Sequence, residues 1–386
     1  MKVCFISHTD RLGGAERVLL ESITILQARG IHCYVLLPKE GELSSRLTAI
    51  GVHYDIAHNS SWVTWGTPTL WTRITTLANI VIGVLSTIKR IKRSRCDIVY
   101  SNTLTICNGA IAAALLGIPH VWHLHDFPGY HGIRFFFGRG FSLRTIGFLS
   151  DTCITVSRHL SDMCRPYIDS AKLKTVYPSM QMVDLSTTQD SFNGATDKSG
   201  LLRCVIVGGL VPTKRQEDAV RALGHLSKIG IDAELFIVGG GDPEYQQYLE
   251  QVAASNKVAH RLYFSGPVSD AFSLIQTADV VLMCSGHETF GRATIEGMLA
   301  GKPVIAARAA ATSELVQDGV TGLLYEFGDY LDLADKIKKL CEDSTLAKRV
   351  GKSAQSWSRS FFTQERYAGE MLLLLTSCRK QQHQYA

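Results

Sequence analysis

The sequence lacks paired cysteines. Ten cysteines are spread over its 386 residues, and no two of them form a C-x-x-C pair. Zinc and dithiol redox sites typically need such close spacing, so neither is expected. Cys4, Cys204 and Cys284 lie inside short apolar runs, where a buried thiol acts as a small hydrophobic side chain. This cysteine usage favours a reducing compartment.

Long apolar runs and a strong charge of one sign are also missing. The uncharged apolar stretch Ile74–Ile88 has 15 residues and includes Asn, Ser and Thr, whereas a spanning helix needs roughly 20 mostly apolar residues. The segment Met1–Ile6 is followed at once by polar residues, so it predicts a first strand and not a secretory signal. The net charge of +5 is too small to predict nucleic-acid binding. We therefore expect a cytoplasmic chain without a transmembrane segment.

Two nucleotide-binding fingerprints are absent. The segment Gly13–Arg17 follows the first apolar run and opens a helical pattern, but it is not a G-x-G-x-x-G motif. No acidic residue ends the second predicted strand, so a dinucleotide site is poorly supported. The sequence G-x-x-x-x-G-K-[ST] is missing as well, which excludes a P-loop. Gly13 and Gly14 would let the backbone approach a ligand closely, or would only form a tight turn.

Short apolar strands alternate with helical patterns, which predicts an α/β protein with parallel sheets covered by helices on both faces. The composition, 46% apolar and 19% charged, is typical of a globular protein, and the length suits two domains. Gln181–Gly200 is rich in Ser, Thr, Asp, Asn and Gly and is the predicted linker. The domains are predicted at 1–177 and 178–363. The predicted strands are Val3–Ser7, Cys33–Leu37, Ile98–Ser101, His120–Leu124, Cys153–Val156, Cys204–Val207, Ala233–Val238, Leu262–Phe264, Val280–Met283 and Pro303–Ala306.

The segment Cys284–Ile305 contains the most informative pattern of the chain. Glu288 lies in a Gly-containing loop after an apolar strand, and Glu296 lies two turns into the helix that follows. Loop amides and a helix N-terminus between them favour phosphate, and each carboxylate can accept hydrogen bonds from hydroxyls. The segment predicts a site for a ligand with a diphosphate in the middle and a sugar at each end. The alternative is that Glu296 is an ordinary surface residue of its helix.

Glycines also end three other predicted strands of the second half. Gly208 leads to Lys214 and Arg215, and Lys214 is well placed to neutralise a diphosphate. The other two strands end near Gly239 and Gly266. Each motif alone is more typical of a turn than of a site. Together, at the carboxyl ends of parallel strands, they predict one ligand cleft.

A strand of the first half ends in the segment Trp122–Asp126, again where parallel-sheet proteins bind ligands. Two histidines and an aspartate would suit a metal, but no further ligand cluster lies nearby in the sequence, so no metal is expected. We expect His125 to contact a hydroxyl or carbonyl group of a sugar. The alternative is a histidine held by local hydrogen bonds.

Two segments of the first half combine apolar, aromatic and basic residues. Trp62–Ile91 contains three tryptophans and runs into the basic cluster Lys89–Arg95, while Phe127–Phe141 mixes aromatic residues with arginine. Such a combination suits the interface of an anionic leaflet. A core helix with a solvated charged end, together with loop aromatics packed on the domain, is the alternative.

In this order the motifs resemble the retaining, nucleotide-sugar-dependent glycosyltransferases of the GT-B fold, in the large family-4 group. The resemblance covers nearly the whole chain, and its most specific part is the pair Glu288 and Glu296 followed by Pro303–Ala306 and Glu314–Leu324. It implies two Rossmann-like domains whose parallel sheets face each other across a cleft. The first domain would hold mainly the acceptor and the second mainly the donor, and the last helix, 364–386, would pack back on the first.

The resemblance also implies roles for single residues. The catalytic residues would be His125 near the transferred sugar, Glu288 on its hydroxyls and Lys214 on the diphosphate. Glu296 would hold the ribose. The remaining donor-binding positions would be Gly13, Gly14, Gly208, Arg215, Gly266, Thr289, Phe290, Gly291 and Arg292.

The chain departs from the family pattern at two places. The family often has Arg two residues into the glycine loop of the second domain, where this chain has Gly209, and Arg215 is the candidate to replace it. The usual Gly-Gly before the late glutamate is Ala309–Thr312 here. No D-x-D occurs in a metal-binding context, so the resemblance implies transfer without a metal or other cofactor.

The predicted function is transfer of a sugar, with retention, from a nucleoside-diphosphate sugar to a saccharide hydroxyl. A UDP-sugar is favoured over a GDP-sugar as the donor. The two segments that combine apolar, aromatic and basic residues favour a lipid-linked acceptor at the inner face of a bacterial cytoplasmic membrane. The predicted partners are donor, acceptor and an anionic membrane surface, with no nucleic acid. The alternatives are a nucleotide-sugar epimerase or hydrolase on the same fold, a non-catalytic sugar-nucleotide-binding protein, and a dehydrogenase.

Overall fold

The computed structural model describes residues 1–64, 66–180, 201–268 and 270–385, without the side chains of His131 and 380–385. The chain divides into two compact units. Unit 1 comprises Met1–Ser179 and Gln364–Ala386, and unit 2 comprises Met180–Thr363. The division falls after residue 179, where the sequence predicted it after 177. The predicted linker, Gln181–Gly200, lies outside the described residues.

Unit 1 is built on a parallel sheet. Its strands are β1 (Lys2–Ile6), β2 (His32–Leu37), β3 (His53–Ile56), β4 (Val63–Thr64), β5 (Ile98–Asn102), β6 (His120–Leu124), β7 (Pro128–His131), β8 (Arg134–Phe135), β9 (Thr152–Thr155) and β10 (Leu173–Thr175). Seven of them form the sheet in the order β10-β9-β6-β5-β1-β2-β3, and β4 pairs with β8 antiparallel. Side chains alternate between the two faces of the sheet, and each face has its own hydrophobic core. In β1, Val3 and Phe5 lie in the core on one face, and Cys4 and Ile6 lie in the core on the other.

Helices cover both faces of this sheet. They are α1 (Gly14–Gln27), α2 (Glu42–Ala49), α3 (Leu70–Ser94), α4 (Asn108–Leu116), α5 (Arg139–Leu149), α6 (Arg158–Cys164) and, from the C-terminal segment, α14 (Gln364–Tyr385). The core on one face contains side chains of α1, α2 and α14, and the core on the other contains side chains of α3 and α4. The helix α14 is held on unit 1 by Tyr367, whose hydroxyl lies 2.6 Å from the hydroxyl of Ser22.

The helix α3 is long, apolar and only partly buried. Its length and composition alone would allow it to cross a membrane, and 33% of its most apolar 18-residue window is buried in the protein. The sequence-based expectation considered only the uncharged run between Arg73 and Lys89, and the absence of a membrane-spanning segment stays a prediction. Core helices of soluble proteins meet the same criterion, and α3 does bury Ile80, Val84 and Ile91.

Unit 2 is also built on one parallel sheet. Its strands are β11 (Leu202–Val207), β12 (Ala233–Val238), β13 (Leu262–Gly266), β14 (Val280–Met283), β15 (Val304–Ala307) and β16 (Leu323–Tyr325). The helices are α7 (Gln216–Lys228), α8 (Pro243–Ser255), α9 (Ala271–Gln276), α10 (Arg292–Leu299), α11 (Thr312–Leu315), α12 (Tyr330–Glu342) and α13 (Ser344–Phe361). The strand order is β13-β12-β11-β14-β15-β16.

Both sheets follow the Rossmann order. When only the strands of each sheet are numbered in chain order, each sheet begins 3-2-1-4-5-6, and the sheet of unit 1 adds a seventh strand after the sixth. The predicted α/β class with two Rossmann-like halves is confirmed, and every predicted strand is present with bounds shifted by a few residues at most. Within the two large sheets, the sequence missed β3, β10 and β16, because the first is half polar and the other two are only three residues long. It also missed β4, β7 and β8, which lie outside those sheets.

Candidate functional site

The strand order of unit 2 identifies where a ligand can enter its sheet. In a doubly wound sheet the chain turns in opposite directions after the first and the fourth strand, which leaves a crevice between their carboxyl ends. In unit 2 these strands are β11 and β14. The loop after β11 contains Gly208 and Lys214, and the loop after β14 contains Glu288. Residues predicted from separate motifs therefore meet at one crevice.

An ion pair spans this crevice. The ammonium group of Lys214 donates a hydrogen bond to Oε1 of Glu288. The two side chains are 22% and 12% exposed, so both are largely desolvated while still open to solvent. Opposite charges in such surroundings attract more strongly than in water. A diphosphate binding here would exchange the carboxylate partner of Lys214 for phosphate oxygens and release Glu288 to accept hydrogen bonds from hydroxyls.

The backbone of Glu288 is held by the segment in which the chain departs from the family pattern. The amide of Ala311 donates to the carbonyl oxygen of Glu288 at 3.0 Å. Ala310 has φ = 48°, a left-handed conformation in which glycine is favoured over alanine. The turn is thus formed without the usual glycines, at a cost in backbone strain.

The glycines at the carboxyl ends of β11, β12 and β13 lie at the same edge of the sheet. At Gly239 φ is 140°, and a Cβ atom there would overlap the carbonyl oxygen of Gly208. Gly266 also has a positive φ, 66°. Gly209 is different, because an added Cβ would have ordinary contact with its nearest neighbour, the carbonyl oxygen of Gly240, at 3.7 Å. The site therefore requires glycine at 239 but tolerates a side chain at 209.

Arg215, the predicted replacement for the missing arginine, is already engaged. Its Nε and Nη2 donate to the two carboxylate oxygens of Asp218 at 2.8 and 2.7 Å. Its guanidinium group also lies over the ring of Phe327, 5.2 Å from the centroid. The hydrogen bonds to Asp218 raise the pKa of Arg215. These contacts hold the guanidinium in place, and its predicted contact with a donor stays a prediction.

The helix α10, which follows the loop of Glu288, presents backbone N–H groups at its N-terminus. The helix starts at Arg292 after Gly291, which has φ = 84° and supplies no side-chain cap. Backbone N–H groups of a first helical turn lack intrahelical acceptors and favour anions. Nε of Arg292 lies 4.0 Å from Oε1 of Glu296, and both side chains are about a quarter exposed. Glu296 is thus partly buried beside Arg292, and its contact with a ribose stays a prediction.

Phe290 has a structural side chain. It is 6% exposed, and its ring lies edge-on to that of Phe362 at 6.0 Å. Only the main chain of Phe290 is thus available to a ligand, while Thr289 beside it is half-buried. Burial of this ring anchors the loop that carries Glu288 and Gly291.

Unit 1 has its own crevice, between the carboxyl ends of β1 and β5. Gly13 and Gly14 follow β1 and begin α1. A Cβ atom added at Gly14 would meet open space, whereas one at Gly13 would come within 2.9 Å of the carboxylate of Glu16. Gly14 thus leaves room beside the backbone at the start of the helix, and a close approach of a ligand there stays a prediction.

His125 lies just beyond the end of β6 and is 7% exposed. Its Nε2 is 2.8 Å from Oδ1 of Asn102, and Asn102 in turn donates to the carbonyl oxygen of Ala15 in the first turn of α1. Burial lowers the pKa of His125 well below the usual range, and the neighbouring His123 and His8 act in the same direction. The imidazole is therefore neutral at pH 7, which suits a hydrogen bond to a hydroxyl rather than an ion pair.

Sequence reasoning missed three polar residues at this edge. Asn102 ends β5, and Thr103 beyond it has φ = 78°, a strained conformation for a β-branched residue. His8 follows β1, and its Nδ1 lies 3.3 Å from Oε1 of the buried Glu16. The available signal was a polar residue directly after an apolar strand. Among the described residues no group of three or more His, Cys, Asp or Glu is arranged to hold a metal ion.

Comparison with known proteins places the chain in a family. The family described as Glycosyltransferase Family 4 matches residues 12–180, and the family described as Glycosyl transferases group 1 matches residues 190–357. The chain is 31% identical over 157 residues to the N-acetyl-alpha-D-glucosaminyl L-malate synthase of Bacillus anthracis, covering 41% of this chain and 40% of that protein. It is 29% identical over 188 residues to the lipopolysaccharide core biosynthesis glycosyltransferase LpsD of Rhizobium meliloti, covering 49% and 50% of the two chains.

The fold is shared over a longer range than the sequence. The crystal structure of HepE from Anabaena in complex with UDP-glucose has a TM-score of 0.78 at 23% identity, over 98% of this chain and 100% of that one. The matches to the two curated relatives span only about half of their lengths or less. The two family matches together cover most of the chain. The chain belongs to the family-4 group of GT-B glycosyltransferases.

Proposed function

We propose that this protein is a retaining glycosyltransferase. It would move a sugar from a nucleoside-diphosphate sugar to a hydroxyl of a saccharide acceptor. The observation that carries the proposal is the pair Lys214 and Glu288 at the crevice of unit 2, beside the N-terminus of α10. A cation and helix amides suit a diphosphate, and a carboxylate suits sugar hydroxyls.

The proposed chemistry needs charge stabilisation more than a nucleophilic side chain. The acceptor oxygen forms a bond to the anomeric carbon while the bond from that carbon to the phosphate oxygen breaks. The acceptor proton passes to an oxygen of the departing diphosphate on the same face, which keeps the anomeric configuration. Negative charge grows on the diphosphate, so Lys214, Arg292 and the first amides of α10 would bind the transition state more tightly than the donor. No metal or other cofactor is required by this proposal.

The donor and acceptor classes are proposed from the relatives. HepE was crystallised with UDP-glucose, which supports UDP as the nucleotide, and LpsD is described as acting in lipopolysaccharide core synthesis, which supports a lipid-linked saccharide acceptor. The setting would be bacterial polysaccharide or glycoconjugate synthesis at the cytoplasmic side of the membrane. His125, neutral and held by Asn102, would hydrogen-bond the transferred sugar.

A donor panel tests this proposal directly. The purified chain is screened by thermal shift against UDP- and GDP-sugars, and the best donor is then incubated with saccharide acceptors in buffer containing EDTA. A product with the anomeric configuration of the donor is expected by NMR. Release of free sugar without acceptor dependence would identify a hydrolase, conversion of the donor sugar an epimerase, and either result would overturn the proposal.

Lys214→Ala provides the residue-level test. Removing a group that stabilises growing charge should lower kcat/KM by about 100- to 1000-fold, without loss of folding because the side chain is partly exposed. Lys228→Ala, at the exposed end of α7, is the matched control and should keep full activity. Near-normal transfer by the Lys214 variant would contradict its assigned role.

A further inference from the structure

The helix α3 exposes an apolar face that its own unit does not cover. Seven large apolar side chains between the start of the helix and its sixteenth residue are 50% to 75% exposed. They are Leu70, Trp71, Ile74, Leu77, Val81, Ile82 and Leu85. Their spacing of three and four residues places them along one side of the helix. We call this surface the α3 face.

The opposite side of α3 is fixed to unit 1. Thr76, Ile80, Val84, Thr87 and Ile91 are buried there. At Gly83 the helix approaches α4 so closely that a Cβ atom would overlap the side chain of Asn108. The helix therefore lies against the sheet layer with its apolar stripe turned outward. A membrane-spanning orientation would remove these buried contacts and place two threonines in hydrocarbon.

Basic side chains follow the α3 face on the same side of the helix. Lys89 and Lys92 follow Leu85 by four and seven residues, so they extend the same side of the helix, and both are exposed. Arg93 is exposed beside them. No acidic residue occurs between Leu70 and Cys96. At 1.5 Å per residue, the apolar stripe from Leu70 to Leu85 is about 22 Å long, and the basic residues from Lys89 to Arg93 span about a further 6 Å of the same helix.

The neighbouring helices α4 and α5 also expose large apolar side chains. The helix α4 packs against both α3 and α5. It exposes Leu115, and α5 exposes Phe141, Arg144 and Phe148 at a spacing that puts all three on one side. Among the described residues of unit 1, the only other exposed large apolar side chain is Leu373 on α14. Apolar exposure in this unit is thus concentrated in one layer of helices, a distribution that marks an interaction surface.

We propose that the α3 face docks unit 1 on an anionic lipid bilayer. The apolar stripe would enter the boundary between headgroups and acyl chains, and Lys89, Lys92 and Arg93 would bind lipid phosphates. Contact with acyl chains explains the exposed large apolar side chains. The negative charge of the bilayer surface explains the basic residues that follow them. The proposal concerns the α3 face of unit 1, and its tests do not measure sugar transfer.

Vesicle flotation with the full chain is the first test. Vesicles of phosphatidylcholine alone are compared with vesicles that also contain phosphatidylglycerol. Binding to the anionic vesicles only, reduced by salt, is expected. Replacing Lys89, Lys92 and Arg93 by Ala should weaken this binding about 100-fold, since each contributes roughly fivefold near an anionic surface. The matched control replaces Lys348, Arg349 and Lys352, which are exposed on α13, and should bind normally.

The apolar stripe is tested separately. Leu77→Ser combined with Val81→Ser and Leu85→Ser should weaken vesicle binding at least tenfold. Its control places Ser at Val320, Leu331 and Leu373, which are exposed elsewhere, and should have no effect. Nucleotide binding and circular dichroism should be unchanged in all variants, which separates loss of docking from loss of folding. No binding of the unmodified chain, or equal effects of test and control variants, would overturn the proposal.

The fluorescence of Trp71 measures contact between the α3 face and the bilayer. It is 72% exposed, so its fluorescence should shift to shorter wavelength on binding anionic vesicles and should be quenched by brominated acyl chains. Trp71→Phe should remove most of this signal and keep flotation.

Two other outcomes would overturn peripheral docking. Retention in membranes after alkaline carbonate would indicate a spanning helix, and a lipid-free dimer that the serine variant dissociates would indicate an interface between two copies.

Discussion

Gly209 and Gly239 follow neighbouring strands, yet their constraints differ. Gly239 adopts φ = 140° and has no room for a Cβ atom, whereas a Cβ at Gly209 would be 3.7 Å from its nearest neighbour. Steric room and backbone conformation therefore separate a glycine required by the fold from one that is replaceable. Sequence alone shows the same residue type at both positions.

Gly239→Ala should destabilise unit 2. The new methyl group would meet the carbonyl oxygen of Gly208 in a conformation that alanine disfavours, with an expected cost of about 1–3 kcal/mol. Urea denaturation followed by circular dichroism measures this loss. Gly209→Ala is the control and should change stability by less than about 0.5 kcal/mol. An equal loss in both variants would mean that the overlap at 239 does not decide stability.

Gly209→Arg should tighten the binding of a nucleoside diphosphate. Arg215 is held by Asp218, so a new guanidinium at 209 would add a cation at an open position beside the crevice. A charge-assisted contact to phosphate is worth about 1.5–3 kcal/mol, or roughly tenfold or more in Kd. Calorimetry with UDP, with Gly209→Gln as the uncharged control, measures the effect. Equal affinities of the Arg and Gln variants would show that charge at 209 does not reach the phosphates.

At the scale of elements, the last helix illustrates how a segment distant in sequence completes a core. Met371 and Leu375 of α14 are fully buried with side chains of α1 and α2 on one face of the unit 1 sheet. Leu373, between them, is exposed. An apolar stripe on one side of a helix predicts packing, but periodicity does not say which sheet receives it, and only the family resemblance pointed to the first domain.

Met371→Ala should destabilise unit 1 by about 2–5 kcal/mol, because it leaves a cavity in a core that cannot fully collapse. Leu373→Ala, two residues away, should cost less than about 0.5 kcal/mol. Chemical denaturation with a probe in unit 1, such as hydrogen exchange of β1 amides, distinguishes its unfolding from that of unit 2. A large loss in the Leu373 variant would show that α14 is packed differently from the structure.

At the scale of the whole molecule, buried neutral histidines make stability depend on pH. His120, His123 and His125 are buried in unit 1, and burial lowers the pKa of His120 and of His123 to about 3. In the unfolded chain a histidine binds a proton below a pH of about 6.5. The unfolded state therefore holds more protons between these values, so stability falls as the pH decreases from about 6.5 towards 3.

Each such histidine should steepen this loss by up to about 1.4 kcal/mol per pH unit. In the His123→Gln variant the unfolded chain binds one proton fewer at this position. The slope of the free energy of unfolding of unit 1 against pH, measured between pH 6 and 5, should therefore be smaller by up to about 1.4 kcal/mol per pH unit. His32→Gln, at an exposed position, is the control for the His-to-Gln substitution itself. Urea titrations at several pH values compare slopes, so a general destabilisation by glutamine does not obscure the result.

The local features of this protein follow from its sequence. The α/β class and the strands of both sheets follow from apolar runs between helical patterns, because burial on both faces demands continuous apolar residues. Glycines and polar residues directly after those runs predicted the candidate residues of both units. The short strands β3, β10 and β16 escaped detection because their pairing, and not their composition, makes them strands.

Strand order and side-chain contacts needed the folded chain. Lys214 and Glu288 are 74 residues apart, and they meet because β11 and β14 are neighbours in the sheet. His125 meets Asn102 for the same reason, through β5 and β6. The apolar segment before Lys89 was readable as core or as membrane contact, and packing against α4 decided which side is exposed. Periodicity is a local property that a sequence displays, whereas adjacency depends on the free energy of packing the whole chain.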